Sequence, residues 1–202
     1  MSFWENTRKP EGLGGKLMVS LMNLGHSPVA WWGLRFLNVA PDAKVLDCGC
    51  GGGANIKRLL KKCPQGIVKG IDYSPVSVEK SQKVNADAIA KGRCTILQGS
   101  VAKRIFAEGW FDAVTAFETV YFWPELPQCF HEIHRMLKPG GMFLICNESS
   151  GDTDKDEKWT KIIDGMTIYK DVELKAELEQ AGFCDVQIHK NKWGWLCITA
   201  RK

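Results

Sequence analysis

The stretch that most constrains this chain is Val45-Leu46-Asp47-Cys48-Gly49-Cys50-Gly51-Gly52-Gly53. It reads as a short apolar strand that runs into a glycine-rich turn and opens a helix. Glycines there let the backbone turn sharply and let a ligand lie against it with no Cβ atoms in the way. The next apolar run ends in Asp72, about 20 residues beyond the loop, where a carboxylate can take both hydroxyls of a ribose. Together they point to a nucleoside-type ligand. Asp47 narrows the choice, because just ahead of the first glycine it would set an anion against a pyrophosphate. A cationic ligand fits better.

Beyond Pro41 short β-rich apolar runs alternate with helical stretches, the pattern of a parallel sheet flanked by helices. Strands are expected at 44–48, 67–73, 94–98, 111–117 and 142–148, and helices at 54–62, 75–90 and 125–137. The last of these helices is stopped by Lys138-Pro139-Gly140-Gly141. A further helix at 172–181, with Gly182 at its C-terminal cap, precedes strands at 186–190 and 195–200. Lys192-Trp193-Gly194 joins those two so tightly that they must be antiparallel. Upstream, Leu17, Met18, Leu21 and Met22 recur at helical spacing before Gly25, which gives a short helix over 15–24. Ser27 reads as the N-cap of a second helix, with Pro28 in its first position, running to about Asn38. The organisation is an N-terminal helical lid segment over 1–40 and one α/β domain over 41–202.

With 202 residues, 45% of them hydrophobic, the chain can bury one good core. Its net charge of +4 comes from 27 basic and 23 acidic residues scattered without a long like-charge block, so nucleic acid has no support as a partner. The eight cysteines follow a polar opening, Ser2 to Lys9, which implies reduced thiols and a cytoplasmic location. Cys94, Cys146 and Cys197 fall in expected strands and read as buried thiols. The apolar run from Leu17 to Leu37 is interrupted by Asn23, His26, Pro28 and Arg35, and is no membrane span. Asp152-x-Asp154-x-Asp156 starts like a calcium loop, but Glu157 and Ile163 stand at the positions of the turn glycine and final glutamate, so it reads as a solvated loop. No triad, HExxH or CxxC is present, and no metal site is expected.

The spacing Asp47-x-Gly49-x-Gly51-x-Gly53 resembles the first motif of class I S-adenosylmethionine-dependent methyltransferases, of the methyltransferase domain 11/25-like type. The similarity continues through Gly70-Ile71-Asp72-Tyr73-Ser74, Leu97-Gln98-Gly99-Ser100, Phe111-Asp112-Ala113-Val114 and Leu137-Lys138-Pro139-Gly140-Gly141. It implies a Rossmann-like three-layer sandwich: a mostly parallel seven-stranded sheet with an antiparallel C-terminal hairpin strand. It also implies S-adenosylmethionine as cofactor. The backbone of Gly49, Cys50 and Gly51 would approach its methionine part, with Asp47 near the ammonium. Asp72 would hold the ribose hydroxyls and Tyr73 would pack on the adenine. Where many relatives carry an aspartate toward the adenine amino group, this chain has Ser100, leaving that contact to Ser100 and the backbone of Val101.

Methyl transfer from a sulfonium is an in-line displacement whose main demand is alignment of the acceptor. Glu118, Tyr121 and Trp123 follow the fourth strand, where ligands of this fold bind, and are the acceptor-side candidates, with Glu118 counted also among the cofactor-binding positions. His26 joins them at the turn between the N-terminal helices, which would cover the cofactor as a lid. Trp31 and Trp32 could wall an apolar acceptor, though at helical spacing at least one belongs to the core. The expected acceptor is a small molecule, with the enzyme a monomer or homodimer. Arsenite would need several thiols converging on the methyl, for which only Cys50 and Cys129 are placed. A tRNA or protein substrate, a nicotinamide-dependent oxidoreductase and a cofactor-binding protein without catalysis remain as other readings.

Overall fold

The computed structural model describes residues 25–202, so the helix expected at 15–24 and the first part of the lid segment lie outside the described residues. Seven strands form one sheet: β1 (Lys44–Cys48), β2 (Ile67–Asp72), β3 (Cys94–Gln98), β4 (Phe111–Phe117), β5 (Leu137–Asn147), β6 (Cys184–Lys190) and β7 (Leu196–Arg201). Their order is β3-β2-β1-β4-β5-β7-β6. The first five run parallel, and β7 lies antiparallel between β5 and β6. The helices are α1 (Ser27–Gly33), α2 (Ala54–Lys62), α3 (Pro75–Val84), α4 (Ala86–Ala90), α5 (Leu126–Met136), α6 (Asp154–Ile162) and α7 (Asp171–Gln180).

Helices cover both faces of the sheet, which is why β1 and β4 are almost uninterruptedly buried rather than alternately buried and exposed. On one face Phe130, Ile133, Leu174 and Leu178 of α5 and α7 pack on Phe111, Val114 and Phe143. On the other, Val29, Ile56, Leu59 and Val78 of α1, α2 and α3 pack on Val45, Val68 and Leu144. The result is the three-layer α/β sandwich expected from the sequence. Cys94, Cys146 and Cys197 are buried in it, as their strand positions implied.

Four elements depart from the expectation, each for a tertiary reason. The helix expected at 75–90 breaks at Asn85, whose side-chain amide donates to the carbonyls of Ser81 and Gly53 and so ties α3 to the glycine turn. The second N-terminal helix stops at Gly33 rather than near Asn38. A Cβ at Gly33 would stand 2.4 Å from the Cys146 Sγ, so α1 ends where it presses on β5. Its N-cap is His26, not Ser27, because the Ser27 hydroxyl instead accepts from the Arg58 guanidinium. Strand β5 begins at Leu137 instead of Met142, since the Gly140 and Gly141 backbone pairs with Lys202 at the chain end. Finally, the segment read as a solvated loop is the start of α6, whose first turn is fixed by a reciprocal capping box between Thr153 and Asp156. Among the described residues no helix is long and apolar enough to cross a membrane.

The strand order positions the site. From β1 the chain moves outward to β2 and β3, then crosses back to enter β4 on the other side of β1. Loops leaving the carboxyl ends of β1 and β4 therefore diverge, and a crevice opens between them, the usual ligand position in such sheets.

Candidate cofactor and acceptor site

A cavity of about 400 Å³ occupies that crevice, within the usual range for small-molecule sites. Its walls come from the glycine turn after β1, Asp72 and Tyr73 after β2, Gly99 to Val101 after β3, and the segment from Phe117 to Pro124 after β4. His26 and Val29 of the N-terminal segment close one side.

The glycine turn is built from the inside. The amides of Gly49 and Cys50 both donate to the Ile71 carbonyl, at 2.8 and 3.0 Å, and the Gly53 amide donates to the Cys50 carbonyl. The Gly51 amide is taken by an Asp72 carboxylate oxygen at 2.8 Å. These donors are spent on the protein itself, so this turn offers no cluster of open N–H groups such as a diphosphate needs. That geometry speaks against a dinucleotide. Gly49 is required because its φ is +72° and a Cβ there would meet the Thr119 hydroxyl at 2.0 Å. Gly51, at φ +50°, has open space where a Cβ would stand.

Asp72 is buried at the mouth of this turn. One carboxylate oxygen accepts from Gly51 and the other from the Ser74 amide at 2.9 Å, so the side chain is fixed and each oxygen keeps a lone pair for a ligand. Burial raises its pKa, and the two amides oppose that shift. A ribose diol fits this fixed, two-oxygen acceptor. Beside it the Tyr73 side chain is 40% exposed and lines the cavity, with room for a flat ring. Ser100 and Val101 line the wall beyond, where the Ser100 hydroxyl accepts from the Ala102 amide.

Asp47 stands behind the wall rather than on it. It is 1% exposed, and its carboxylate accepts from the Thr115 hydroxyl at 2.7 Å. Burial raises its pKa to about 7, with the Thr115 bond pulling the other way. Cys50 lines the cavity as a thiol held high by burial, whereas Cys129 is fully buried and bonded to the Pro124 carbonyl. Only one of the described thiols therefore reaches the cavity, which removes the arsenite option.

On the acceptor side the structure separates the candidates. Glu118 lines the cavity with its backbone in the left-handed region, at φ 57°, a costly conformation for a non-glycine residue that often marks functional sites. Its carboxylate accepts from the Glu148 amide and hydrogen-bonds Tyr121. Burial, then the nearby Glu148 charge, pushes the Glu118 pKa well up. Tyr121 lies behind Glu118, off the cavity wall, where its hydroxyl accepts from the Ser149 amide at 2.9 Å. It orients Glu118 instead of touching a ligand. Trp123 lines the cavity and also belongs to the core, where it stacks on Phe143 and donates to the Thr119 hydroxyl. Burial lowers the pKa of His26, which faces Glu118 across the opening.

Trp31 and Trp32 do not line the cavity. Trp31 is exposed beneath the Arg58 guanidinium, and Trp32 packs on Phe36 and Trp195. Arg58 and Asn55 of α2 were not legible as site residues, yet both line the cavity. Arg58 donates to Asn55 and to Ser27, which couples α1 to α2. Only the position of Arg58 one turn into the helix after the glycine loop could have signalled this.

Fold and cavity together define an α/β protein with a ligand cleft at the β1/β4 switch point. Residues 46–145 match the family described as a methyltransferase domain, and the chain resembles the class I S-adenosylmethionine-dependent methyltransferases. It is 30% identical over 159 residues to cycloartenol-C-24-methyltransferase of Arabidopsis thaliana, a match covering 73% of this chain and 46% of that protein. The chain spans less than half the length of the curated relatives it matches. An O-methyltransferase family protein from Burkholderia thailandensis shares the fold, with a TM-score of 0.84, 16% identity and coverage of 100% of this chain and 64% of that one. So does Haemonchus contortus phosphoethanolamine N-methyltransferase 2 in complex with phosphomonomethylethanolamine and S-adenosylhomocysteine, with a TM-score of 0.80, 15% identity and coverage of 100% and 61%.

Proposed function

We propose that this protein transfers a methyl group from S-adenosylmethionine to a small-molecule acceptor by in-line displacement. The single observation that carries the reading is the pairing at the glycine turn: Asp72 is fixed by Gly51 and Ser74 as a two-oxygen acceptor, while the turn spends its amides internally. That arrangement suits a nucleoside carrying no phosphates. The cofactor's contribution is a methyl already activated by sulfonium charge, so the protein's task is alignment and exclusion of water.

Asp72 would hold the ribose hydroxyls, Tyr73 and Val101 would bracket the adenine, and the Gly49–Gly51 backbone would border the methionine part. Asp47, lying behind that backbone, would favour the cationic ligand through its buried charge. Phe122 and Trp123 would keep the reacting centre dry, with His26 and Val29 of the 1–40 lid segment closing over it. The acceptor would enter between His26 and Glu118. The names of the curated relatives make an apolar small molecule the first class to screen.

Calorimetric titration with S-adenosylmethionine, S-adenosylhomocysteine and NAD tests the reading. Micromolar binding of the first two and none of NAD is the expected result; binding of NAD alone would overturn it and point to hydride transfer.

A further inference from the structure

Three side chains that the sequence leaves far apart meet at the acceptor end of the cavity. His26 precedes α1, Glu118 follows β4 and Glu148 follows β5, and one ligand atom from each lies within 4.8 Å of the others. His26 and Glu118 line the cavity, while Glu148 stands behind them, so the cluster has one open side and it faces the space left for an acceptor. Two carboxylates this close in a half-buried setting repel one another, and the charge acting on Glu118 is that of Glu148. Such a pair is held together by a proton or by a metal ion. The supporting bonds are those that orient a ligating carboxylate: the Glu148 amide and Tyr121 both engage Glu118, and the Ser149 amide fixes Tyr121 in turn.

We infer that His26, Glu118 and Glu148 form a divalent-cation site at the acceptor end of the cleft. One imidazole and two carboxylates are a donor set for Zn²⁺ or Mn²⁺, and three protein ligands leave a coordination position open, as in catalytic rather than structural sites. Two carboxylates balance the charge of a divalent ion, so the cation adds no net charge beside a cationic methyl donor. The role of the ion deepens the methyltransferase reading and rests on it: the open position takes an acceptor hydroxyl or thiol. The ion lowers the acceptor's pKa, the acceptor proton leaves to water, and the oxygen or sulfur lone pair then forms the new bond to the methyl carbon. The C–S bond of the sulfonium breaks with its electron pair remaining on sulfur. Binding of the ion itself does not depend on that chemistry.

The test is a titration of the full chain with Mn²⁺, read by loss of the free-ion paramagnetic resonance signal, with S-adenosylhomocysteine binding and melting measured on the same samples. Mn²⁺ is the probe because hard ions avoid the chain's many thiols. Saturable binding of one ion per chain is expected, weakened about tenfold or more in Glu148→Gln and in His26→Ala. Glu148→Gln, whose side chain stands off the cavity wall, should melt and bind S-adenosylhomocysteine as the parent does. Absence of saturable binding in the parent protein would overturn the site, as would binding that neither substitution alters. Binding of S-adenosylhomocysteine without Mn²⁺ sinks the ion site alone, whereas Mn²⁺ binding without the nucleoside sinks the methyltransferase reading alone.

Discussion

Gly51 and Gly53 are two residues apart in the same turn, and alanine at each should fail in a different way. At Gly51 the added methyl meets nothing within 4 Å, so the cost to the fold is that of holding a Cβ at φ +50°, about 1–2 kcal/mol. At Gly53 φ is +80°, and the methyl would stand 2.4 Å from the Ser81 hydroxyl, 2.5 Å from the Asn85 amide and 2.9 Å from the Ser81 Cα. The last is backbone, so α3 itself must move, and overpacking of this kind adds about 1–3 kcal/mol. For a chain of this size each kcal/mol is about 2–4 °C of melting temperature, so Gly53→Ala should melt well below Gly51→Ala. Ligand affinity should rank the other way relative to stability. Because Gly51 lines the cavity, its methyl fills space the cofactor needs, and S-adenosylhomocysteine should bind Gly51→Ala at least about tenfold more weakly, or about 1.4 kcal/mol. Differential scanning calorimetry and titration calorimetry on both variants give the two numbers. Parent-like affinity in Gly51→Ala would refute the placement of a ligand against this turn, and equal melting of the two variants would refute the packing argument at Gly53.

Asp72→Ala should weaken cofactor binding by about 1–3 kcal/mol, since ribose hydroxyls lose a buried charged partner; unchanged affinity in titration calorimetry would sink the ribose assignment. Asp47 gives a pH dependence. Its folded pKa is raised from 3.8 to about 7, so the stability linked to it is fully present below about pH 3.8 and is lost as pH rises through about 7. A cationic ligand favours the ionised form, so affinity should climb as pH rises toward 7 and then level off, and Asp47→Asn should flatten both profiles. A parent affinity that does not change between pH 5.5 and 8 would contradict this. Arg58→Ala should release α1 from α2, seen as faster hydrogen exchange in α1 with the central strands unchanged; equal exchange would show that the Ser27 and Trp31 contacts hold nothing in place.

The identity of the site was written locally, and its completion was not. Glycine at 49, 51 and 53, with carboxylates at 47 and 72, announces a sharp turn with a carboxylate beside it, because backbone conformation and strand-end position depend on nearby sequence. The strands fell where apolar runs lay between breakers, since a sheet covered on both faces needs continuous apolar stretches. What the sequence could not specify was contact between distant segments. That Asn85 bends a helix to reach Gly53, that Asp47 sits behind the wall, and that Tyr121 braces Glu118 are consequences of packing. The meeting of His26, Glu118 and Glu148 belongs to the same group, because it takes the pairing of β4 with β5 and the packing of α1 on β5 to bring them to one end of one cleft.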